Sequence, residues 1–301
     1  MRPDFRALTG ITGTSRTIFE TRSRITAVHR QSIACQPAGW LGTPPSGEAQ
    51  LVGRLFLAGY FTGATVMNSF DTHIICFLNR FSHHSWLFDR VVVLLEVNTL
   101  LKGGLAMTVF WWLWWRRKPS DEERRILLFG LLASFAGLLL ARTLALSLPF
   151  RQRPLRNPLL HFQIPYTLDP KTLIGWSSFP SDHATLFFSL AVTFLFVSQA
   201  LGIVAFVYAF VVVCLPRLYL GIHYPTDILA GVLLGIGVGS LGALQRLRRI
   251  VTDPLLKWSE ISPASFYAFL FLCSFSVAQQ FDAVRDMGKL AFELVKFTVS
   301  R

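Results

Sequence analysis

Seven apolar blocks, each about as long as a lipid bilayer is thick, follow one another between residues 51 and 279. A spanning helix needs about 20 mostly apolar residues to cross roughly 30 Å of hydrocarbon. Open sheet edges would leave backbone groups unpaired in lipid, so these blocks must be helices. The blocks are Leu51–Ser69, Val97–Trp115, Ile126–Leu148, Ala184–Ala200, Gly202–Tyr219, Thr226–Leu244 and Pro263–Gln279. The first and last are the weakest, so we predict an all-α, polytopic helical membrane bundle with six or seven spans.

The composition excludes most soluble classes of protein. Apolar residues make up 52% and charged residues 15% of the 301-residue chain, whereas a soluble domain has about 25% charged residues. A soluble enzyme, a disordered protein and a coiled coil are therefore poor interpretations. A net charge of +12 would often indicate a nucleic-acid partner. Here the arginines sit between apolar blocks, so we expect no nucleic acid and assign the charge to topology signals and an anionic ligand.

The distribution of apolar residues predicts three regions. Residues 1–50 are rich in Arg and Ser, poor in acids and without an apolar run, which predicts a disordered segment. An organellar transit peptide or an over-long gene start would share this composition, and we assign the segment no function. Residues 51–245 form the predicted membrane core. Residues 246–301 hold a cytoplasmic basic loop, a predicted last span and a C-terminal tail.

Basic loops between the blocks set the predicted orientation. One loop contains Arg116, Arg117, Lys118, Arg124 and Arg125, and another contains Arg246, Arg248 and Arg249. The positive-inside rule places both loops in the cytoplasm. Counting spans from there puts residues 149–183 and 216–227 together on the opposite face. Arginines on that face run against the rule, which indicates that they bind an anionic ligand.

Three stretches on the outer face carry residues suited to phosphate chemistry. They are Pro149-Phe150-Arg151-Gln152-Arg153-Pro154-Leu155-Arg156, Phe179-Pro180-Ser181-Asp182-His183 and Pro216–Asp227. Pro180 and Ser181 suit a helix start. Such an N-terminus directs free N–H groups and the positive end of the helix dipole at an anion. Arg153 and Arg217 add planar guanidiniums that match phosphate oxygens.

Two histidines in these stretches can divide the work of a phosphoryl transfer. His223 lies four residues before Asp227, which falls in the first turn of a predicted helix. A carboxylate there can accept the imidazole N–H, fix the tautomer and leave the other ring nitrogen free to attack. His183 can then protonate the leaving oxygen.

These residues resemble the type 2 phosphatidic acid phosphatase family, also called the acid phosphatase–haloperoxidase superfamily. Its pattern is K-x6-R-P, then P-S-G-H, then S-R-x5-H-x3-D. The third part matches here except that Pro216 replaces its Ser, and the second matches except that Asp182 replaces its Gly. The first keeps Arg153-Pro154, with Leu146 at the lysine position. The resemblance covers roughly residues 51–245, and the form Phe-Pro-Ser-Asp-His-Ala is similar to undecaprenyl pyrophosphate phosphatases.

The resemblance implies an acid phosphatase–haloperoxidase-like core and a role for each matching residue. His223 is implied to form a phosphohistidine, Asp227 to orient it, and His183 to act as the general acid. The implied phosphate-binding residues are Arg153, Arg217 and Ser181. The position of the missing lysine could be filled by Arg151, which we include among the phosphate-binding residues, or by Arg142 or Lys102. No metal and no cofactor is implied.

The sequence therefore predicts a membrane phosphatase acting on a lipid phosphate or diphosphate. We expect an integral protein of a bacterial inner membrane, surrounded by membrane lipids, with its site on the periplasmic face. An isoprenoid diphosphate such as undecaprenyl pyrophosphate is favoured, and phosphatidate-type lipids come next. A lipid phosphotransferase using the same site and a non-enzymatic transporter or scaffold remain alternatives. The sequence does not specify the oligomeric state.

Overall fold

The structure, a computed structural model, describes residues 68–116 and 120–280, and all its regular elements in these ranges are helices. The predicted N-terminal segment, nearly all of the block at residues 51–69 and the tail from residue 281 lie outside the described residues. The helices are α1 (Ser69–Asn79), α2 (Trp86–Val97), α3 (Leu100–Trp115), α4 (Asp121–Ser147), α5 (Asp182–Val197), α6 (Gln199–Tyr219), α7 (Pro225–Ala243), α8 (Gln245–Ile261) and α9 (Pro263–Ala278).

Several of these helices have the length and apolar composition of membrane spans. Helices α4, α6 and α7 are each sufficient to cross a bilayer, and α2 and α3 are sufficient together, although they meet at an angle of 63°. Helices α5 and α9 are shorter and apolar. Each of the six predicted blocks from residue 97 onward therefore coincides with a helix. The all-α, membrane-type architecture predicted from the sequence is confirmed.

Helix α5 is the centre of the bundle. Every residue from His183 to Phe194 is buried, and the helix packs against α4, α6 and α7. Two glycines of α7 allow the close approach, because a Cβ on Gly231 would lie 2.4 Å from the Ser181 carbonyl oxygen and one on Gly235 would lie 2.4 Å from that of Thr185. The N-terminal ends of α5 and α7 are consequently held side by side.

Charged residues of α4 and α8 pair with each other at one end of the bundle. At one end, Ser120 and Glu123 cap α4 reciprocally, and Arg125 donates to Asp253 of α8 at 2.8 Å. Arg248 of α8 donates to Glu122. The rise of about 1.5 Å per helical residue puts Arg142, near the other end of α4, about 25 Å from Arg125. Arg125 and Arg248, which belong to the two basic loops predicted to be cytoplasmic, thus lie far from the ends of α5 and α7 where the motif residues meet.

Candidate active site

A cavity of about 240 Å³ opens at the end of the bundle where α5 and α7 begin. The four motif residues His183, His223, Arg153 and Arg217 line it together. They come from all three sequence stretches, and each side chain is buried. Residues from three stretches that are distant in the sequence therefore converge on a single cavity.

His223 lies just before α7 with its two ring nitrogens in different surroundings. Its Nδ1 is 2.7 Å from the carbonyl oxygen of Ser178, which can only accept, so Nδ1 carries the proton. The other nitrogen, Nε2, is 3.2 Å from Nη1 of Arg217 and 3.5 Å from Nη1 of Arg153. Burial lowers the pKa of His223 below its ordinary value. A neutral ring with an unprotonated nitrogen facing two guanidiniums is suited to nucleophilic attack.

Asp227 is close to His223 but does not accept its N–H directly. Its Oδ2 is 3.7 Å from Nδ1 of His223 and accepts the backbone N–H of Tyr224 at 2.8 Å. Its Oδ1 accepts from Arg151. The direct imidazole–carboxylate hydrogen bond predicted from the spacing is thus replaced by the bond to Ser178. The reason is that the carboxylate of Asp227, in the first turn of α7, accepts the backbone N–H of Tyr224, the residue just before that helix.

Arg153 is held rigidly by backbone carbonyls. Its Nη1 donates to the carbonyl oxygen of Ile222 at 2.7 Å, and its Nη2 donates to that of Ser177 at 3.1 Å. Burial, and next the neighbouring charge of Arg217, lower the pKa of Arg153 to about 10. The guanidinium therefore remains charged at neutral pH, and its position beside Nε2 of His223 is fixed by the fold.

His183 stands at the start of α5 with an acceptor at each ring nitrogen. Its Nδ1 is 2.7 Å from Oδ1 of Asp182, and its Nε2 is hydrogen-bonded to the side chain of Gln280. Asp182, which departs from the family's glycine, is also 3.4 Å from Nε of Arg142. Arg142 thus compensates the charge of Asp182, and Asp182 orients the ring of His183. Because the carboxylate of Asp182 can only accept, the neutral ring carries its proton on Nδ1, and Nε2 carries a proton only in the doubly protonated ring, which is the form that general acid catalysis requires.

Two of the predicted phosphate-binding residues do not line the cavity. Ser181 is fully buried, and its hydroxyl caps α5 by accepting the N–H of Ala184 at 3.4 Å. Arg151 donates to Asp71 of α1 at 2.7 Å and to Asp227. Arg151 is therefore bound by the carboxylates of Asp71 and Asp227 and does not belong to the lining of the cavity. Of the three candidates for the missing lysine, the cavity is lined by Arg142 and Lys102 and not by Arg151.

Glu96, at the end of α2, also lines the cavity and was not predicted as a site residue from the sequence. Its Oε1 accepts from Nη2 of Arg217 at 2.7 Å, and its Oε2 is 3.7 Å from Nζ of Lys102. A lone carboxylate in an apolar run is a signal of function in a membrane protein and could have identified it. The carbonyl of Ser178 gives no such signal, because any residue supplies one.

Within residues 68–116 and 120–280, no group of three or more His, Cys, Asp or Glu side chains is arranged to hold a metal ion.

The chain is similar in sequence to several known phosphatases. The chain is 24% identical over 164 residues to undecaprenyl-diphosphatase BcrC of Bacillus subtilis, covering 54% of this chain and 78% of that protein. It is 39% identical over 77 residues to decaprenylphosphoryl-5-phosphoribose phosphatase of Mycobacterium tuberculosis, covering 24% and 42%. LpxE of Aquifex aeolicus aligns in structure with a TM-score of 0.41 and 22% identity over 57% of this chain and 93% of that one. The PAP2 superfamily profile matches residues 148–250, and this segment, which brings the two histidines and two arginines of the cavity together, is a PAP2 superfamily domain.

Proposed function

We propose that this membrane protein hydrolyses an isoprenoid diphosphate of the undecaprenyl pyrophosphate class, through a phosphohistidine on His223. The PAP2 domain and the similarity to undecaprenyl-diphosphatase BcrC support a lipid phosphate phosphatase. The observation that carries the mechanism is the unprotonated Nε2 of His223, which faces Arg153 and Arg217 in the cavity that His183 also lines.

The first chemical step transfers the terminal phosphoryl group to the enzyme. Nε2 of His223 attacks the terminal phosphorus, and the bond from that phosphorus to the bridging oxygen breaks. His183 gives its Nε2 proton to the bridging oxygen, which leaves as part of the lipid monophosphate. Arg153 and Arg217 bind the equatorial oxygens, where negative charge must be stabilised in the transition state.

The second step releases inorganic phosphate. Water attacks the phosphorus of the phosphohistidine, and His183 accepts a proton from that water. The phosphorus–nitrogen bond breaks, which returns the electron pair to Nε2 of His223. The net reaction consumes one water and yields a lipid monophosphate and inorganic phosphate.

The walls of the cavity suit a lipid whose tail remains in the membrane. Val97 lines the cavity and is 69% exposed, so it offers apolar surface beside the site. Leu173 and Trp176 add apolar area to the lining. A polyprenyl tail suits such apolar surface, and phosphatidate-type lipids come next in our order of substrates.

The polarity of the bundle supports a site on the periplasmic face of a bacterial inner membrane. The basic residues around Arg125 and Arg248 lie at the end remote from the cavity, and such clusters favour the cytoplasmic side. The arginines near the cavity are engaged by carbonyls and carboxylates of the site, so they do not oppose this orientation.

The nucleophile is tested by His223→Ala in purified protein. We expect release of phosphate from undecaprenyl diphosphate to fall by at least about 10³-fold, while membrane insertion is retained. The matched control is His84→Ala, because His84 is exposed and outside the cavity. Wild-type turnover in His223→Ala would overturn the assignment. With labelled diphosphate and candidate lipid acceptors, label on lipid instead of free phosphate would establish a phosphotransferase.

A further inference from the structure

We infer that Lys102 and Arg142 form a second anion subsite in the cavity, which binds the leaving phosphate of a diphosphate. The subsite would make the enzyme select isoprenoid diphosphates over the corresponding monophosphates. The inference rests on the proposed function, because it names the part of the substrate that this end of the cavity recognises.

Lys102 reaches the cavity from the π-helical turn that begins α3. Its side chain is 2% exposed, and Nζ donates to the backbone oxygen of Glu96 and lies 3.7 Å from its carboxylate. The contacts continue from Glu96 to Arg217 and from Arg217 to His223. The ammonium is therefore two side chains away from the attacking nitrogen along this path. That position suits a phosphate other than the one being transferred.

The turn that carries Lys102 is fixed against the end of α9. A Cβ on Gly103 would lie 2.2 Å from the carbonyl oxygen of Ala278, so the backbones are in direct contact. Gln280 follows two residues later, and its side chain meets Nε2 of His183. Residues at the C-terminal end of α9 thus help to position both Lys102 and the general acid His183.

Arg142 lies close to the general acid, His183, because both contact Asp182. Its Nε is 3.4 Å from Asp182, the residue that also holds Nδ1 of His183. The oxygen that His183 protonates belongs to the leaving group, so the leaving group must lie beside His183. A diphosphate substrate places a second phosphate there, whereas a monophosphate places only an alcohol oxygen.

The charge of the cavity agrees with two phosphates. Its lining holds four cations, Lys102, Arg142, Arg153 and Arg217, against two carboxylates, Glu96 and Asp182, which leaves an excess of two positive charges before the histidines are counted. Arg153 and Arg217 are beside His223 and serve the transferred group. Lys102 and Arg142 lie instead beside Glu96 and Asp182, the two carboxylates of the lining. Leu146, at the position of the family's lysine, is 78% exposed and does not line the cavity.

The test compares farnesyl diphosphate with farnesyl phosphate, which differ only in the second phosphate. For Lys102→Met we expect kcat/KM to fall about 10–100-fold for the diphosphate, as for loss of a charged hydrogen bond, and less than about threefold for the monophosphate. Arg142→Gln should behave similarly, and Lys102→Arg should restore part of the selectivity. The matched control is Lys257→Met, because Lys257 is exposed on α8.

Two results would overturn the subsite: equal losses on both substrates, or no loss on either. Binding of a methylene-bridged, non-hydrolysable farnesyl diphosphate gives a second measurement that needs no turnover, and Lys102→Met should weaken it at least about tenfold. Unchanged binding would contradict the subsite. If wild-type protein binds this analogue but hydrolyses neither substrate, the proposed function fails and the subsite stands.

Discussion

Replacing Arg217 by lysine separates the shape of the phosphate site from its charge. The guanidinium contacts two groups at once, with Nη1 3.2 Å from Nε2 of His223 and Nη2 2.7 Å from Glu96. Lysine keeps the positive charge but has a single ammonium that cannot reproduce the planar fork. The variant therefore keeps a positive charge opposite Glu96 but loses one charged hydrogen bond to a phosphate oxygen of the substrate.

The size of the effect follows from that one lost contact. A hydrogen bond to a charged group contributes about 1.5–3 kcal/mol, and about 1.4 kcal/mol corresponds to a factor of ten. We expect Arg217→Lys to lower kcat/KM for undecaprenyl diphosphate by about 10–150-fold. The assay is phosphate release by purified protein in detergent, with thermal unfolding measured on the same samples.

The control for Arg217→Lys is Arg249→Lys, which makes the same chemical change on an exposed residue of α8. It should keep wild-type kcat/KM and stability. A folded Arg217→Lys protein whose kcat/KM stays within about twofold of wild type would refute the proposed role of the guanidinium fork.

Two further predictions concern pH and metal ions. Because burial lowers the pKa of His223, its ring stays unprotonated to lower pH than usual, so protonation of the nucleophile should lower kcat/KM only below about pH 6.5. An NMR titration of the ring should give the same limit, and a midpoint at or above pH 6.5 would contradict the buried neutral nucleophile. Phosphate release should continue unchanged in excess chelator, whereas a strict requirement for a divalent ion would contradict metal-free transfer to His223.

Much of the helical architecture could be predicted from the sequence, because membrane helices are recognised by the length and hydropathy of their apolar segments. The block Ile126–Leu148 became α4 and the block Thr226–Leu244 became α7, with starts shifted by up to five residues. Those shifts arise from polar caps, such as Ser120 and Glu123 of α4, which hydropathy does not include.

The candidate site could be predicted only where side chains act through their own chemistry. The spacing from Arg217 to His223 identified groups that do face each other. The role of Arg151 could not be read in this way, because its partner Asp71 is distant in sequence and comes from α1. The hydrogen bond from His223 to Ser178 was equally hidden, since it depends on the path of the backbone before α5.

The two carboxylates of the cavity explain how the site tolerates its departures from the family pattern. A buried charge is costly unless a partner compensates it. Glu96 is placed between Arg217 and Lys102, and Asp182 is placed between two other groups, His183 and Arg142. Each acid therefore joins one residue of the shared motifs to one cation outside them.

The pairing of each carboxylate with a cation affects how the activity of site variants is interpreted. Deleting Lys102 leaves Glu96 with one fewer counter-charge, and deleting Arg142 does the same to Asp182. Part of any loss would then come from an uncompensated carboxylate facing the phosphates. That penalty would act on every phosphate that enters the cavity, whereas loss of a subsite would act on diphosphates alone. The ratio of the two substrates separates the causes, and the charge-preserving change Lys102→Arg removes the penalty altogether.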